Sequence, residues 1–264
     1  MVGFTRTATR PMDLSPHIAS PRLLTAKLLR ALGVNKIAHR AYYKYVHGFN
    51  TANKFVLPAI ERCFQELVES GSPVSGDYME FGLFKGYSFW YVQQVARRLN
   101  LHSMRFFGFD SFAGLPEPRG VDVTPDEHFY EGQFNCSRAT VERNLDAEGV
   151  DWDRTFLIEG FFSDSLTLEL RRKYSMKRVA LALIDCDLYE STAHVLNFLK
   201  PMLDDGTILL FDDWNAFDAS DAKGQRRALR EFLGAGPWGA EPLFAYGHYG
   251  QVFVMRRKGR THSN

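Results

Sequence analysis

Cysteine is scarce in this sequence, and its placement argues against two classes of protein. The 264 residues include only Cys63, Cys136 and Cys186, which are far apart and form no CxxC pair. That pattern argues against a disulfide-stabilised secreted domain and against a structural zinc site. It fits a chain that works in a reducing compartment, and we therefore expect a cytoplasmic location.

Long apolar runs and a strong net charge are missing as well. No stretch approaches the roughly 18 uncharged apolar residues that a membrane span requires, and the N-terminus lacks an apolar core followed by a small-residue cleavage site. The formal net charge of +1 gives no sign of a nucleic-acid partner. We expect a globular protein with neither stable membrane insertion nor nucleic-acid binding.

Basic residues are nevertheless concentrated at the N-terminus. Residues 1–47 contain eight lysines and arginines against the single acid Asp13. This head could be a basic arm, a membrane-surface helix, a lid over an anionic site or a solvated terminus. Apolar spacing predicts helices at 22–32, 36–47 and 51–70. The aromatic face of the second helix could also pair subunits, which leaves a homo-oligomer open.

An alternation of strand and helix patterns begins at residue 77. We assign 1–72 to an N-terminal helical extension or lid and 73–264 to one α/β domain with a doubly wound, mostly parallel sheet. The loop at 112–136 is long enough to be functional. The predicted strands are 78–82, 105–110, 155–160, 179–185, 207–212 and a hairpin of 243–246 with 251–255; the predicted helices are 87–99, 137–148, 164–175, 191–203 and 224–234.

Pairs of carboxylates follow two of these strands. The apolar run at 179–184 ends in Asp185 and Asp187, and the run at 207–211 ends in Asp212 and Asp213. Ligands of open α/β sheets bind at the carboxyl ends of the strands. Four carboxylates gathered there would repel one another unless something positive lay among them, and a divalent cation is the simplest occupant.

The turn after the first strand has the pattern ExGxxxGxS, from Glu80 to Ser88, and not GxGxxG. Gly82 would let the backbone approach a ligand closely. Glu80 suits a cationic ligand, and Asp110, at the end of the second strand, can accept hydrogen bonds from a ribose diol. Ribose beside a cation favours S-adenosylmethionine over NAD. The alternative is that both acids are ordinary strand-end caps.

Five motifs in order resemble those of the macrocin O-methyltransferase family. They lie at 80–88, 109–116, 158–166, 184–192 and 211–214, and the resemblance runs from about 77 to 233. The family consists of bacterial enzymes that depend on S-adenosylmethionine and magnesium and methylate sugar hydroxyls of antibiotics. The first 50 residues fall outside it, and Cys186 departs from a glycine expected in many members, which bears on substrate more than on chemistry.

The resemblance implies a Rossmann-like class I methyltransferase whose acceptor is a small molecule, a glycosylated bacterial natural product or related diol. It also implies residue roles. Asp185, Asp212 and Asp213 would ligate Mg²⁺, and Asp187 would be the general base. The expected cofactor contacts are Glu80, Gly82, Ser88, Asp110, Ser111, Gly160, Phe161 and Asp185.

Each role has an alternative that the residues leave open. Asp187 could cap the helix that follows it, and His128 in the long loop is a rival base, whereas His194 is expected to face solvent on a helix. Phe161 or its neighbour Phe162 could pack in the core instead of meeting an adenine.

Four further side chains near the acids are ambiguous. Tyr189 and Trp214 could stack on an acceptor ring or simply pack, and Gln225 and Arg226 could line the acceptor pocket or open a solvated helix. The rival function is a glycosyltransferase in which the DxD at 185–187 holds a nucleotide-sugar through a metal. That reading gives no role to the acids at 212–213.

Overall fold

The computed structural model describes residues 48–70, 74–124, 128–234 and 236–259, together with Ala38 and Tyr42. The helices expected at 22–32 and 36–47 lie outside the described residues, apart from those two positions, and so does the expected domain boundary at 72–73. The roles suggested for the basic head therefore stay predictions.

A single seven-stranded sheet organises the described chain, with the order β3-β2-β1-β4-β5-β7-β6. The first five strands pair in parallel, and β7 runs antiparallel to both β5 and β6. The mostly parallel sheet and its closing hairpin are confirmed. The strands are β1 Asp77–Phe81, β2 Phe106–Asp110, β3 Thr155–Glu159, β4 Val179–Ile184, β5 Ile208–Phe211, β6 Trp238–Tyr246 and β7 Gly250–Arg257.

Helices cover both faces of this sheet, which makes it doubly wound. One face carries α1–α3 over a core that includes Ile60, Phe89 and Leu145. The other carries α4–α7 over a second core that includes Leu196 and Leu229. The helices are α1 Val56–Glu69, α2 Tyr87–Arg98, α3 Arg138–Ala147, α4 Phe162–Ser165, α5 Leu168–Lys173, α6 Tyr189–Leu199 and α7 Gly224–Gly234.

The central strands are apolar because both of their faces are covered. All six residues of β4 are buried, and so are the five of β1. The rings of Phe81 and Phe109 stack with centroids 4.6 Å apart across β1 and β2. Burial on two sides explains why β4 is a continuous apolar run. The equally buried β1 includes two acids that have partners, since Asp77 pairs with Arg105 and Glu80 accepts two hydroxyl hydrogen bonds.

Three expected boundaries differ from the structure for local reasons. The helix expected at 164–175 is two short helices, and Thr167 caps the second through the backbone N–H of Leu170. Pro58 lies in the first turn of α1, where a proline is tolerated, and marks the true start of that helix. Ser137 occupies the N-cap position of α3, but its hydroxyl pairs with the Thr140 hydroxyl and accepts no backbone N–H.

Gly82 sits where β1 turns toward α2, pressed against the end of β4. Its φ is +96°, and a Cβ added there would lie 1.8 Å from the carbonyl oxygen of Asp185. No side chain fits in that space, so the close approach of these two strand ends depends on glycine.

We predict that Gly82→Ala lowers the free energy of unfolding by about 3 kcal/mol or more, because backbone atoms must separate to admit the methyl group. Gly149→Ala is the matched control, since its φ is +68° but nothing lies within 4 Å of the new Cβ. The control should lose only about 1 kcal/mol, the cost of a left-handed alanine. Urea denaturation compares the two; equal losses would contradict the steric account.

Candidate metal and cofactor site

A cavity of about 630 Å³ opens at the carboxyl edge of the parallel strands. The turns after all five parallel strands contribute to its wall, which is the position expected for a ligand site in an open α/β sheet. The loop at 112–136 and the segment at 51–56 add further sides. The wall residues that follow the strands are 82–84, 110–111, 160–163, 185–187 and 212–213.

Three carboxylates meet on the floor of this cavity. Asp185 follows β4, and Asp212 and Asp213 follow β5, which pairs with β4 through Ile184 and Phe211. One oxygen from each of the three carboxylates lies within 4.8 Å of the others. The sheet register thus brings together residues that the sequence separates by 27 positions or more.

Electrostatics at this floor favour an added positive charge. The pKa values of the Asp185 and Asp213 carboxyls are raised well above their ordinary range, first by burial and then by the neighbouring carboxylates. Burial also raises the pKa of Asp212, whose buried Oδ1 has no hydrogen-bond partner in the part of the chain that the structure describes. Three carboxylates that each bring a hard oxygen donor to within 4.8 Å of the others fit a cation such as Mg²⁺.

Asp187 occupies a strained turn beside these acids. Its φ is +60°, a conformation that costs a non-glycine residue about 1 kcal/mol. The N–H of Leu188 closes the turn on the carbonyl of Cys186 at 2.6 Å, and the N–H of Asp187 donates to Asp213 Oδ2 at 3.0 Å. Burial, followed by the charge of Asp212, raises the pKa of the Asp187 carboxyl. The turn places Asp187 in the cavity wall beside the predicted metal ligands.

The alternative reading of Asp187 as a helix cap is wrong, because another residue does that work. Helix α6 begins at Tyr189, and the carboxylate of Asp122 accepts the N–H groups of Tyr189 at 2.7 Å and Glu190 at 3.2 Å. Asp122 lies in the long loop and is only 1% exposed. The sequence carried no signal for this contact, since an acid in a polar loop looks solvated.

Gln225 holds one of the predicted metal ligands, Asp213, in place. It is fully buried, and its amide donates to the carbonyl of Ile184 at 2.9 Å and to Asp213 Oδ2 at 3.4 Å. Its carbonyl oxygen accepts the N–H of Asp213 at 3.1 Å. Gln225 therefore fixes the Asp213 backbone and side chain and lies outside the cavity wall, where an acceptor contact had been considered.

Asp110 joins the turn after β1 to the turn after β2. Its Oδ2 accepts the N–H groups of Leu83 at 2.7 Å and Phe84 at 3.1 Å, and its Oδ1 accepts that of Phe112 at 2.7 Å. A carboxylate has about four acceptor sites, so one remains for a hydroxyl in the cavity. Asp110 and Ser111 both lie in the cavity wall.

Glu80 lies one layer behind the cavity. It is completely buried, and it accepts hydrogen bonds from the Tyr78 hydroxyl and the Ser88 hydroxyl, each at 2.6 Å. Ser88 lines the cavity, whereas Glu80 does not. Because Ser88 commits its only proton to Glu80, it can offer only lone pairs to a ligand, which suits a cationic donor.

The aromatic residues divide between ligand wall and core. Phe161 is 39% exposed and lies in the cavity wall, next to Gly160. Phe162 also touches the cavity but packs edge-on against Phe81 at 5.9 Å. The Trp214 ring packs on Phe253 at 4.8 Å, outside the cavity wall.

The remaining candidates are placed as follows. The Tyr189 hydroxyl donates to Glu231, and Arg226 lies over the Trp214 ring while bonding Asp221, so none of these three side chains reaches the cavity wall. His128 packs beside Phe129 and is absent from the wall. His194 is exposed on α6, as expected, and its exposed side chain lines the cavity.

Comparison with known families decides the affiliation of the chain. A family profile described as macrocin-O-methyltransferase (TylF) matches residues 49–234, well over half of the sequence. The chain belongs to this family. A curated relative from Streptomyces olivaceus, named 8-demethyl-8-(2,3-dimethoxy-alpha-L-rhamnosyl)-tetracenomycin-C 4'-O-methyltransferase, is 30% identical over 67% of this chain and 65% of its own length.

Other members extend the comparison. Mycinamicin III 3''-O-methyltransferase of Micromonospora griseorubida is 25% identical over 59% of this chain and 61% of its own length. The matches thus span less than two thirds of these relatives. The solved O-methyltransferase NovP shares the fold with a TM-score of 0.63 at 22% identity, over 77% of this chain and 79% of its own.

The calicheamicin methyltransferase CalS11 gives a TM-score of 0.61 at 22% identity, covering 95% of this chain and 99% of its own. These two structures confirm the Rossmann-like class I methyltransferase fold. Within the described residues, none of the helices combines the length and the apolar character that crossing a bilayer demands.

The buried Glu80 of this family member should make its stability depend on pH. Burial raises the pKa of Glu80 from 4.5 to about 7, so its contribution to stability is complete below pH 4.5 and is lost as the pH rises through 7. In Glu80→Gln, the loss of unfolding free energy between pH 5 and pH 8 should be about 2 kcal/mol smaller than in the wild type.

Urea denaturation in EDTA at the two pH values measures this difference. Glu148→Gln, at an exposed position after α3, is the matched control and should keep the wild-type dependence. If Glu80→Gln and the wild type lost equal free energy over this pH interval, the buried carboxyl would not be the titrating group.

Proposed function

We propose that this protein is an O-methyltransferase that uses S-adenosylmethionine and Mg²⁺ and acts on a sugar hydroxyl, or a related vicinal diol, of a bacterial natural product. The observation that carries the proposal is the acidic floor of the cavity, where Asp185, Asp212 and Asp213 converge within 4.8 Å. Asp187 and the turn after β1 border the same cavity. A methyl donor and an acceptor hydroxyl could therefore meet over the carboxylates.

The cofactor would occupy the side of the cavity formed by the first three strand ends. Asp110, with one acceptor site left, suits the ribose hydroxyls, and the exposed ring of Phe161 suits the adenine. Ser88, which can only accept toward the cavity, and Asp185 suit the methionine ammonium group. Gly82, Ser111 and Gly160 complete this wall with backbone and hydroxyl groups, and Glu80 acts through Ser88.

The reaction would need an acidified hydroxyl held in line with the methyl group. Mg²⁺ bound by Asp185, Asp212 and Asp213 would lower the pKa of an acceptor hydroxyl toward neutrality. Asp187, buried in the wall beside these residues, then takes the proton as general base. The rigid strand ends keep base and ligands in fixed positions, so the protein contributes mainly orientation.

The acceptor assignment follows the relatives. Two curated relatives that this chain resembles are named for O-methylation at the 4' position of a rhamnosyl tetracenomycin and at the 3'' position of mycinamicin III. A glycosyltransferase that holds a nucleotide-sugar through a DxD motif remains less favoured. That function gives no reason for Asp212 and Asp213 to share a floor with Asp185, nor for the Ser88 and Glu80 pair.

Binding and turnover experiments test the function. Calorimetry should show S-adenosylmethionine binding at micromolar to millimolar ligand, and methyl transfer to a rhamnosylated macrolide or polyketide should require Mg²⁺ and stop in excess EDTA. Added Mg²⁺ should restore it. No S-adenosylmethionine binding, with UDP-sugar bound instead, would end the methyltransferase proposal, and activity undiminished by EDTA would remove the metal from it.

The base assignment has its own test. We expect Asp187→Asn to lower kcat by about 100-fold or more, because an amide cannot accept the hydroxyl proton. The variant keeps the shape of the side chain, so its Mg²⁺ affinity should change by less than tenfold in a calorimetric titration. A wild-type kcat in Asp187→Asn would show that another group takes the proton.

A further inference from the structure

Two buried polar atoms beside the metal floor lack hydrogen-bond partners among the described residues. One is Asp212 Oδ1, and the other is the hydroxyl of Tyr246 at the end of β6. The two residues are neighbours, since the Asp212 carboxylate raises the pKa of the Tyr246 hydroxyl after the larger effect of burial. Unpaired buried polar groups are costly, so a neighbouring pair of this kind calls for an explanation.

The Tyr246 ring is held in place by its neighbour in the hairpin. Gly250 pairs with Tyr246 across β6 and β7, and a Cβ at position 250 would lie only 2.3 Å from the ring carbon that bears the hydroxyl. The backbone at Gly250 needs no left-handed conformation, so glycine is required there for the space it leaves. Glycine at position 250 thus leaves the space that the Tyr246 ring occupies.

Helix α1 and the residue before it pack near Tyr246. Tyr246 belongs to the same core as Val56 and Ile60 of α1. The Phe55 side chain lies 3.0 Å from the position a Cβ would take on Gly247, immediately after Tyr246. Only 8% of the Tyr246 surface is exposed, so this tyrosine is buried in that core.

The other metal-floor residue on the same turn already has supporting donors. Asp213 receives hydrogen bonds from the N–H of Asp187 and from the amide of Gln225. The Oδ1 of Asp212 has no donor within hydrogen-bond distance among the described residues, although the backbone N–H of Asp212 donates to the carbonyl of Ile184 at 3.2 Å. A ligating carboxylate usually has its outer oxygen held by a second hydrogen-bond donor. Tyr246 is the side chain placed to be that donor.

We propose that Tyr246 is the positioning residue of the metal site, donating its hydroxyl hydrogen bond to Asp212 so that the carboxylate presents an oxygen to the ion. The inference rests on the magnesium site of the proposed function. Tyr246 would connect the hairpin β6–β7 to the metal site.

Tyr246→Phe tests the role, because it removes the hydroxyl and keeps the ring. Titration of the protein with Mg²⁺ alone, followed by calorimetry, should show a 10- to 100-fold weaker affinity than in the wild type. In EDTA, the melting temperature should change little, because Tyr246→Phe keeps the ring that packs in the core. S-adenosylmethionine binding in EDTA should also be unchanged.

Tyr249→Phe is the matched control, because Tyr249 lies in the same hairpin with 53% of its surface exposed, and it should bind Mg²⁺ like the wild type. Asp212→Asn sets the lower limit of affinity. The methyl group added in Gly250→Ala would displace the Tyr246 ring. This variant should therefore weaken Mg²⁺ binding as Tyr246→Phe does while also lowering the melting temperature.

The possible results distinguish the existence of the Mg²⁺ site from the role of Tyr246 in it. If the wild type itself bound no Mg²⁺, the metal site of the proposed function would fail, and the role of Tyr246 with it. If the wild type bound Mg²⁺ and Tyr246→Phe bound it equally well, only the positioning role would be overturned. A lower melting temperature in EDTA with intact Mg²⁺ affinity would reduce Tyr246 to a packing residue.

Discussion

The repulsion among four carboxylates crowded at the ends of β4 and β5 is the constraint on which the rest of the structure depends. The pairing of Ile184 with Phe211 fixes the strand ends side by side, so the acids that follow cannot separate. Gln225 and the backbone around Asp187 offset only part of the cost. A cation that binds only the folded chain would relieve the remainder and stabilise it by mass action.

One part of the cavity wall follows strands, and the other part belongs to loops. The predicted metal and cofactor residues follow strands, where the sheet and close contacts such as that of Gly82 with Asp185 leave little freedom. The other walls come from the segment at 51–56 and the loop at 112–136. Loops tolerate sequence change far better than strand ends. Such a division lets members of one family keep a single chemistry while they differ in acceptor.

The sequence predicted the sheet and the acidic floor well for a physical reason. Strands buried on both faces are mainly apolar, as β4 and β5 are, so a pair of carboxylates that ends such a run marks the edge of the sheet. The supporting residues could not be predicted in the same way. Glu80 behind Ser88, Asp122 capping α6 and Tyr246 beside Asp212 depend on which way side chains point across distant elements. Spacing along the chain carries no information about that.

The contact between Asp122 and the start of α6 has a consequence for how this family can diversify. One acid of the long loop, Asp122, accepts hydrogen bonds from the first turn of the helix that follows Asp187. A loop taken from a relative would keep the start of this helix in place only if it supplied an equivalent hydrogen-bond acceptor. Asp122 therefore links the loop that forms one side of the cavity to the helix that forms another side.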